Sequence, residues 1–279
     1  VANAFNTAIL SADSRQFYRE MNIGTAKPSE AELAAANHYF INSLSIHDRY
    51  SAGDFEKDAL ETINQLFREK DVLVMVGGSG LFINAVCEGL DDLPKPLPGV
   101  RDTLNKLYQE KGLSYIQEEL KIKDPAYYAE VDIHNPQRLI RALEVIESTG
   151  KSFSYFRKEK QTPRPFNVLK IGLNMDRTLL YDRINKRVDL MMEQGLLEEV
   201  KDLIPYRHLP PLLTVGYAEL FDYLDGKCSL DKAVEKIKQH TRQFAKRQIT
   251  WFKKDENTHW FEPTKTAEIL DVISNQLVK

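Results

Sequence analysis

Asp71-Val72-Leu73-Val74-Met75-Val76-Gly77-Gly78-Ser79-Gly80 decides the fold. Val72 to Val76 is a continuous apolar run that stops at a glycine-rich turn. Runs of this kind suit a parallel strand covered on both faces. An apolar helix, Leu81 to Cys87, opens directly after the turn. Upstream, Thr7-Ala-Ile-Leu-Ser-Ala12 reads as a second buried strand ending in Asp13-Ser14-Arg15-Gln16. A helix is predicted between the strands, from about Phe55 to Lys70. Ser51 and Asp54 precede it with capping-box spacing, although Glu or Gln is the usual partner. Strand, helix, strand is the βαβ unit of a doubly wound sheet.

Further along, Val168 to Leu173 and His259 to Phe261 read as strands. Two helices are predicted between Arg177 and Ile204, and an amphipathic helix from Thr266 to Val278. Ser229 caps a long helix. The chain changes character between Pro94 and His134. Leu93-Pro-Lys-Pro-Leu-Pro98 is a stiff connector, and charged helical segments follow it. The sequence therefore divides into an α/β core, residues 1–94 and 135–279, and a helical insertion, residues 95–134. Asn135 suits a helix N-cap and Pro136 a first helical position, with the helix running to Thr149 and stopping at Gly150. No internal repeat or low-complexity tract is visible.

The 279 residues are 42% hydrophobic and 28% charged, an ordinary globular balance. No run of about 18 apolar residues occurs, so no membrane span is expected. Val1 to Phe5 lacks the pattern of a secretory signal. Cys87 and Cys228 have no metal-ligand neighbours, and the six histidines form no ligand pair. A reducing, cytoplasmic compartment and a monomer are expected. The net charge of −3 speaks against nucleic acid, but its distribution does not. Lys236, Lys238, Arg242, Lys246, Arg247, Lys253 and Lys254 form a stretch without one acidic residue.

Four features carry chemistry. Asp13 follows a strand's carboxyl end, where open α/β sheets bind ligands. It reads either as a general base or metal-linked carboxylate, or as a turn-former. Gly77 to Gly80 lets backbone approach an anion at a helix N-terminus and adds the Ser79 hydroxyl, or is simply a tight connection. Arg138 and Arg141 share a helix face that reads phosphates and bases, or is solvated. Arg242 and Lys246 lie one turn apart on a helix suited to diphosphate or RNA backbone, or again solvated. Phe244, Trp251 and Phe252 on that helix are expected to pack against the core rather than stack on bases.

Taken in order, seven strings say more. They are Ser11-Ala-Asp-Ser-Arg-Gln-Phe-Tyr18 with Met21-Asn-Ile-Gly-Thr-Ala-Lys-Pro28, Tyr50-Ser-Ala-Gly-Asp-Phe55, Val76-Gly-Gly-Ser-Gly-Leu81, Asn135-Pro-Gln-Arg-Leu139, Val215-Gly-Tyr217 and Ala245-Lys-Arg-Gln248. The set resembles the tRNA dimethylallyltransferases, or tRNA isopentenyltransferases, across nearly the whole chain. That resemblance implies a P-loop NTPase-like core, a parallel sheet flanked by helices, with a helical insertion that helps grip an anticodon stem-loop. It implies dimethylallyl diphosphate and a tRNA adenosine beside the anticodon as substrates, with Mg²⁺ assisting.

Asp13 matches the family's catalytic aspartate, and Ser79, expected to be catalytic as well, stands where the family usually has Thr and keeps its hydroxyl. Asp13, Ser14, Arg15, Gln16, Ser79, Arg101, Pro136, Gln137, Arg138, Leu139 and Ile140 match tRNA-contacting positions. So do Leu213, Thr214, Val215, Gly216 and Tyr217, although some members place a polar or basic residue at the first of these. Lys246 and Arg247 are further expected RNA contacts, and Arg242 an expected partner of the diphosphate. The family's Gly-x-x-x-x-Gly-Lys-Ser/Thr loop, which would supply a metal ligand, does not occur in the sequence. Val1 to Phe5 reads as the tail of the helix after that loop, so the expectation is that the beginning is missing from this chain. A molecule truly without it is expected to have little or no activity. The metal ligands are left open. Rival expectations are an adenylate prenyltransferase, a nucleotide kinase of the same fold class, and a non-catalytic RNA-binding protein.

Overall fold

The computed structural model describes residues 1–91, 93–157 and 163–277, and it divides into two compact units. The first comprises Val1–Cys87 and Arg164–Lys279, the second Glu88–Pro163.

The first unit begins with β1 (Ile9–Ser11), a 3₁₀ turn (Ile23–Thr25), α1 (Glu30–Ala35), β2 (His38–Tyr39), α2 (Ala52–Leu66), β3 (Val74–Val76) and α3 (Gly80–Glu88). The second holds α4 (Val100–Lys123), α5 (Pro125–Glu130), α6 (Pro136–Thr149) and α7 (Phe153–Phe156). The first resumes with β4 (Ile171–Leu173), α8 (Arg177–Glu193), α9 (Leu196–Asp202), 3₁₀ turns at Ile204–Tyr206 and Pro210–Leu212, α10 (Tyr217–Leu224), α11 (Leu230–Phe252), β5 (His259–Phe261) and α12 (Thr266–Leu277).

All strand pairings are parallel, as the apolar runs suggested. The strands form two sheets among the described residues, β2-β1-β3 and β4-β5. The strands are shorter than the runs that foretold them. Val76 is 55% exposed, so β3 is not covered on both faces to its end. The Ser51 box forms with Asp54 in place of Glu: each side chain takes the other's backbone N–H. It sets the start of α2 at Ala52, ahead of the predicted Phe55. Phe55, Ala59 and Ile63 then pack under the sheet with Leu10, Phe17 and Val86. A second core gathers Met21, Val188, Leu196, Val200, Tyr217, Leu220 and Ile237.

The division at residues 95 and 134 needs correction. α6 was assigned to the core, but its apolar face packs in the second unit against Leu104, Ile116 and Leu120 of α4. Its cap forms as expected: the Asn135 side chain accepts the Arg138 N–H, and Gly150 ends the helix at φ 70°. The sequence predicts the last helix, α12, to Val278, a residue that lies outside the described residues.

Where the chain re-enters the first unit, Arg164 closes the end of α3. Its Nε donates to Val86 O at 2.8 Å, and Nη2 donates to Ala85 O at 2.6 Å and to Glu56 Oε1 at 2.5 Å. Both charged side chains are withdrawn from water, at 8% and 19% exposure. Arg164→Ala is expected to lower unfolding free energy by about 3–5 kcal/mol, because Glu56 loses its counter-charge. Denaturant titration reads this. A loss under about 1 kcal/mol, the range of an exposed pair, would contradict it.

Candidate active site

The site is built on the adjoining ends of β1 and β3. Ala12 N–H still donates to Val76 O at 2.7 Å, so the chain leaves the sheet only at Asp13. Asp13 Oδ1 accepts the Arg15 N–H at 2.9 Å, an Asx-type turn. The turn-forming reading of Asp13 therefore holds. Burial raises the Asp13 pKa above its ordinary value. The Arg15 and Gln16 backbone N–H groups and the Arg15 charge oppose that rise without cancelling it.

Ser79 ties the second turn to the first. Its Oγ accepts the Ser14 N–H at 3.0 Å and donates to Ser14 Oγ at 3.1 Å. Ser11 Oγ donates to Gln16 Oε1 at 3.1 Å, and the Gln16 amide donates to Thr25 O and Ala26 O. The glycines are needed where they stand. A Cβ on Gly77 would lie 2.5 Å from the Ala12 carbonyl, and one on Gly80 would lie 2.2 Å from the Trp251 indole nitrogen. Gln248 Nε2 donates to Gly78 O at 3.0 Å. Gln248 and Trp251 thus clasp the turn from α11. Gln248 lies within the Ala245–Gln248 motif, but nothing local marks its task, because its partner lies 170 residues away.

On α11, Arg242 Nη1 donates to Asn185 Oδ1 at 2.6 Å and sits over the Tyr181 ring, so α8 anchors it. Lys238 is neutralised by Asp189 at 2.7 Å and by Glu235. Lys246 and Arg247 are exposed, and Arg247 lies over the Phe244 ring. Phe244 is 44% exposed, so it does not pack into the core as expected.

In the stretch 213–217, Leu213 is exposed and Gly216 has φ 97°. Tyr217 is fully buried. Its ring fills the second core, which leaves its backbone for the expected contact with RNA. The side chains of Leu139 and Ile140 are likewise fully buried, in the second unit's core. Gln137 and Arg138 beside them are exposed. Arg101 bonds Gln137 at 2.8 Å and, together with Arg141, pairs with the buried carboxylate of Glu144.

Residues 16–255 match the family described as IPP transferase. The chain belongs to that family. An IPP transferase relative from Christiangramia forsetii, named tRNA dimethylallyltransferase, is 52% identical over 99% of this chain and 92% of its own length. Another, tRNA dimethylallyltransferase 1 of Bacteroides thetaiotaomicron, is 48% identical over 99% and 90%. The solved tRNA isopentenylpyrophosphate transferase of Bacillus halodurans aligns with a TM-score of 0.71 at 35% identity, covering 99% of this chain and 90% of that one. A eukaryotic dimethylallyltransferase structure shares the fold at TM-score 0.82 and 24% identity, covering 99% and 74%. The α/β core with parallel strands is thus the family's own. No helix among the described residues is long and apolar enough to cross a membrane, and none of their His, Cys, Asp and Glu side chains form a group of three or more that could hold a metal.

Proposed function

We infer that this IPP transferase moves a dimethylallyl group from dimethylallyl diphosphate to N6 of the adenosine beside a tRNA anticodon, releasing diphosphate. The observation that carries the reading is the Asp13 turn, locked through Ser79 to the glycine turn at the strand ends.

The exocyclic amine is a weak nucleophile because its lone pair is delocalised into the ring. The allylic C1 compensates, since it tolerates positive charge as its bond to oxygen breaks. The N6–C1 bond forms, the C1–O bond breaks with its electron pair going to diphosphate, and one N6 proton must leave. Asp13 accepts that proton, a role worth about 10²–10⁴ in rate. Its raised pKa makes it a better acceptor than an exposed aspartate. Arg242, held by Asn185, stabilises the leaving diphosphate. Ser79 acts by fixing the Asp13 turn through Ser14. Mg²⁺ belongs to this reading and would supply further charge neutralisation. Such an ion would be held by one or two carboxylates together with the substrate's phosphates. The proton transfer and the binding of diphosphate described here use the chain's own groups.

The target base must leave its stack to react, which an anticodon loop permits readily. Lys246 and Arg247 would meet RNA phosphates, and exposed Arg138 the RNA from the second unit. Lys246→Ala and Arg247→Ala are each expected to weaken stem-loop binding regardless of sequence and to flatten the salt slope by about 0.7–0.9 per lost contact. Binding titrations at several salt concentrations read this, and an unchanged slope would remove these residues from the interface.

Acceptor competition tests the reading. With labelled dimethylallyl diphosphate, label is expected on anticodon stem-loop RNA in preference to AMP, ADP or ATP. Label on free nucleotide alone would make the protein an adenylate prenyltransferase. Phosphate transferred from ATP would make it a kinase.

A further inference from the structure

Glu199 does more than any other carboxylate near the site, and no motif pointed to it. It lies on α9 beside Glu198. Glu198 is exposed and pairs with Lys201 at 3.6 Å. Glu199 turns inward. Its Oε2 accepts the N–H groups of Asn22 at 3.0 Å and Ile23 at 2.8 Å. Its Oε1 accepts the Gly24 N–H at 3.1 Å and the Tyr217 hydroxyl at 2.6 Å. Three successive backbone donors around one anion make a nest, here filled by the protein's own side chain.

Gly24 and Tyr217, the two donors to Oε1, are tightly placed. Gly24 lies against the Tyr217 ring so closely that a Cβ there would stand 2.5 Å from it. Burial, and then the Glu199 charge, keep the Tyr217 hydroxyl protonated far above its ordinary range, so it remains a donor. From the nest the chain of contacts runs on. The turn Ile23–Thr25 leads into Ala26, whose φ of 50° is unusual for a residue with a side chain. The carbonyls of Thr25 and Ala26 accept the Gln16 amide at 3.3 and 3.1 Å. Gln16 accepts Ser11 Oγ, and Ser11 Oγ in turn accepts the Asp13 N–H at 3.4 Å.

We propose that Glu199 is the positioning residue of the site, holding the turn at 22–26 against Tyr217 and, through Gln16, setting the geometry of Asp13. The inference rests on the functional reading above for what Asp13 does. Its structural half stands on the hydrogen bonds alone. A charge-neutral, isosteric change, Glu199→Gln, can accept at only one terminal atom and must turn its amide N–H₂ toward backbone N–H groups or the Tyr217 hydroxyl. Tyr217→Phe removes only the hydroxyl and leaves the three backbone bonds to Glu199 in place.

The test compares Glu199→Gln, Tyr217→Phe and the control Glu198→Gln, which makes the same charge change on the outer face. Two readouts are taken at a temperature where all three are folded by circular dichroism. The first is amide hydrogen exchange. Glu199→Gln is expected to speed exchange at Asn22, Ile23 and Gly24, and also at Arg15 and Gln16, which touch Glu199 only through the relay. The second is steady-state prenyl transfer to the stem-loop. Glu199→Gln is expected to lower kcat about 10- to 100-fold, with KM for RNA changed far less, as misplacement of a reacting group does. Tyr217→Phe should lie between it and the unaffected control.

Faster exchange confined to residues 22–24 with normal kcat would make Glu199 a local structural clamp and overturn the proposal. So would equal loss in the Glu198→Gln control. If the unmodified protein transfers no prenyl group, the functional reading fails by itself. The exchange at Arg15 and Gln16 then decides whether Glu199 positions the Asp13 turn.

Discussion

Asp13→Asn is expected to reduce prenyl transfer by about 10²–10⁴ while stem-loop binding persists. Asparagine keeps the Oδ1 acceptor that receives the Arg15 N–H, so the turn survives and only the proton acceptor is lost. The same change is expected to raise thermal stability. The sign follows from the raised pKa. Above pH 3.8 the folded protein holds a proton on Asp13 more strongly than the unfolded chain does. The stability this group contributes is fully present below 3.8 and is lost as pH rises through its higher folded value. At neutral pH the buried carboxylate is therefore a burden that asparagine lifts. It follows that kcat/KM should fall on acidification with a midpoint above 3.8, and that this limb should be absent from the residual activity of the variant. A pH–rate profile reads both. A wild-type limb at or below 3.8, or the same limb in the variant, would take Asp13 out of the proton transfer.

Gly77→Ala is the second large effect. The added methyl would stand 2.5 Å from both the carbonyl carbon and the oxygen of Ala12. Backbone cannot swing aside as a side chain can, so β1 and β3 must part at the point where Ala12 bonds Val76. Overpacking of this kind costs about 1–3 kcal/mol. The loss should appear in chemical denaturation together with a kcat loss larger than instability explains, since Asp13 is the next residue. Gly78→Ala makes a useful contrast. There the methyl meets the Gln248 amide, 1.9 Å away at the end of a flexible side chain. Gln248 can yield, so the stability loss is expected to be smaller. Equal losses for the two variants would contradict the assigned packing.

The elements with local causes were legible in the sequence. The Ser51 and Asn135 caps, the glycine after α6 and the Ser229 cap of α11 each depend on side chains within a few residues, and each stands where expected. So did the two loops of the site, because Asp13 and Ser79 lie directly at the ends of apolar runs. What could not be read depends on distant partners. β2 is two residues long and exists only because Ile9 and Leu10 pair with His38 and Tyr39. The apolar face of α6 announces that it is buried but not against what, so its helix was placed in the wrong unit. Glu199 and Glu198 are adjacent acidic residues in an ordinary helix, and only the fold brings one of them to the amides of residues 22–24. At Tyr217, Leu139 and Ile140 the motif gives no sign that the core takes the side chains.

The relation between the two turns also explains how a serine can stand where relatives were expected to carry threonine. The side-chain hydroxyl at position 79 serves once as acceptor and once as donor toward Ser14, and threonine carries the same group. Ser79→Ala removes both bonds and leaves the Ser14 N–H without its acceptor, a change of about 1–3 kcal/mol where such a group is buried.

The most direct test of the whole account is to locate the transferred group. The full-length protein is incubated with an anticodon stem-loop, dimethylallyl diphosphate and Mg²⁺, and the RNA is digested to nucleosides for mass spectrometry. The account predicts a single dimethylallyl adduct on N6 of the adenosine beside the anticodon, formed by the wild type and lost in Asp13→Asn. An adduct on another base or on free AMP, or an adduct formed equally well by Asp13→Asn, would contradict it.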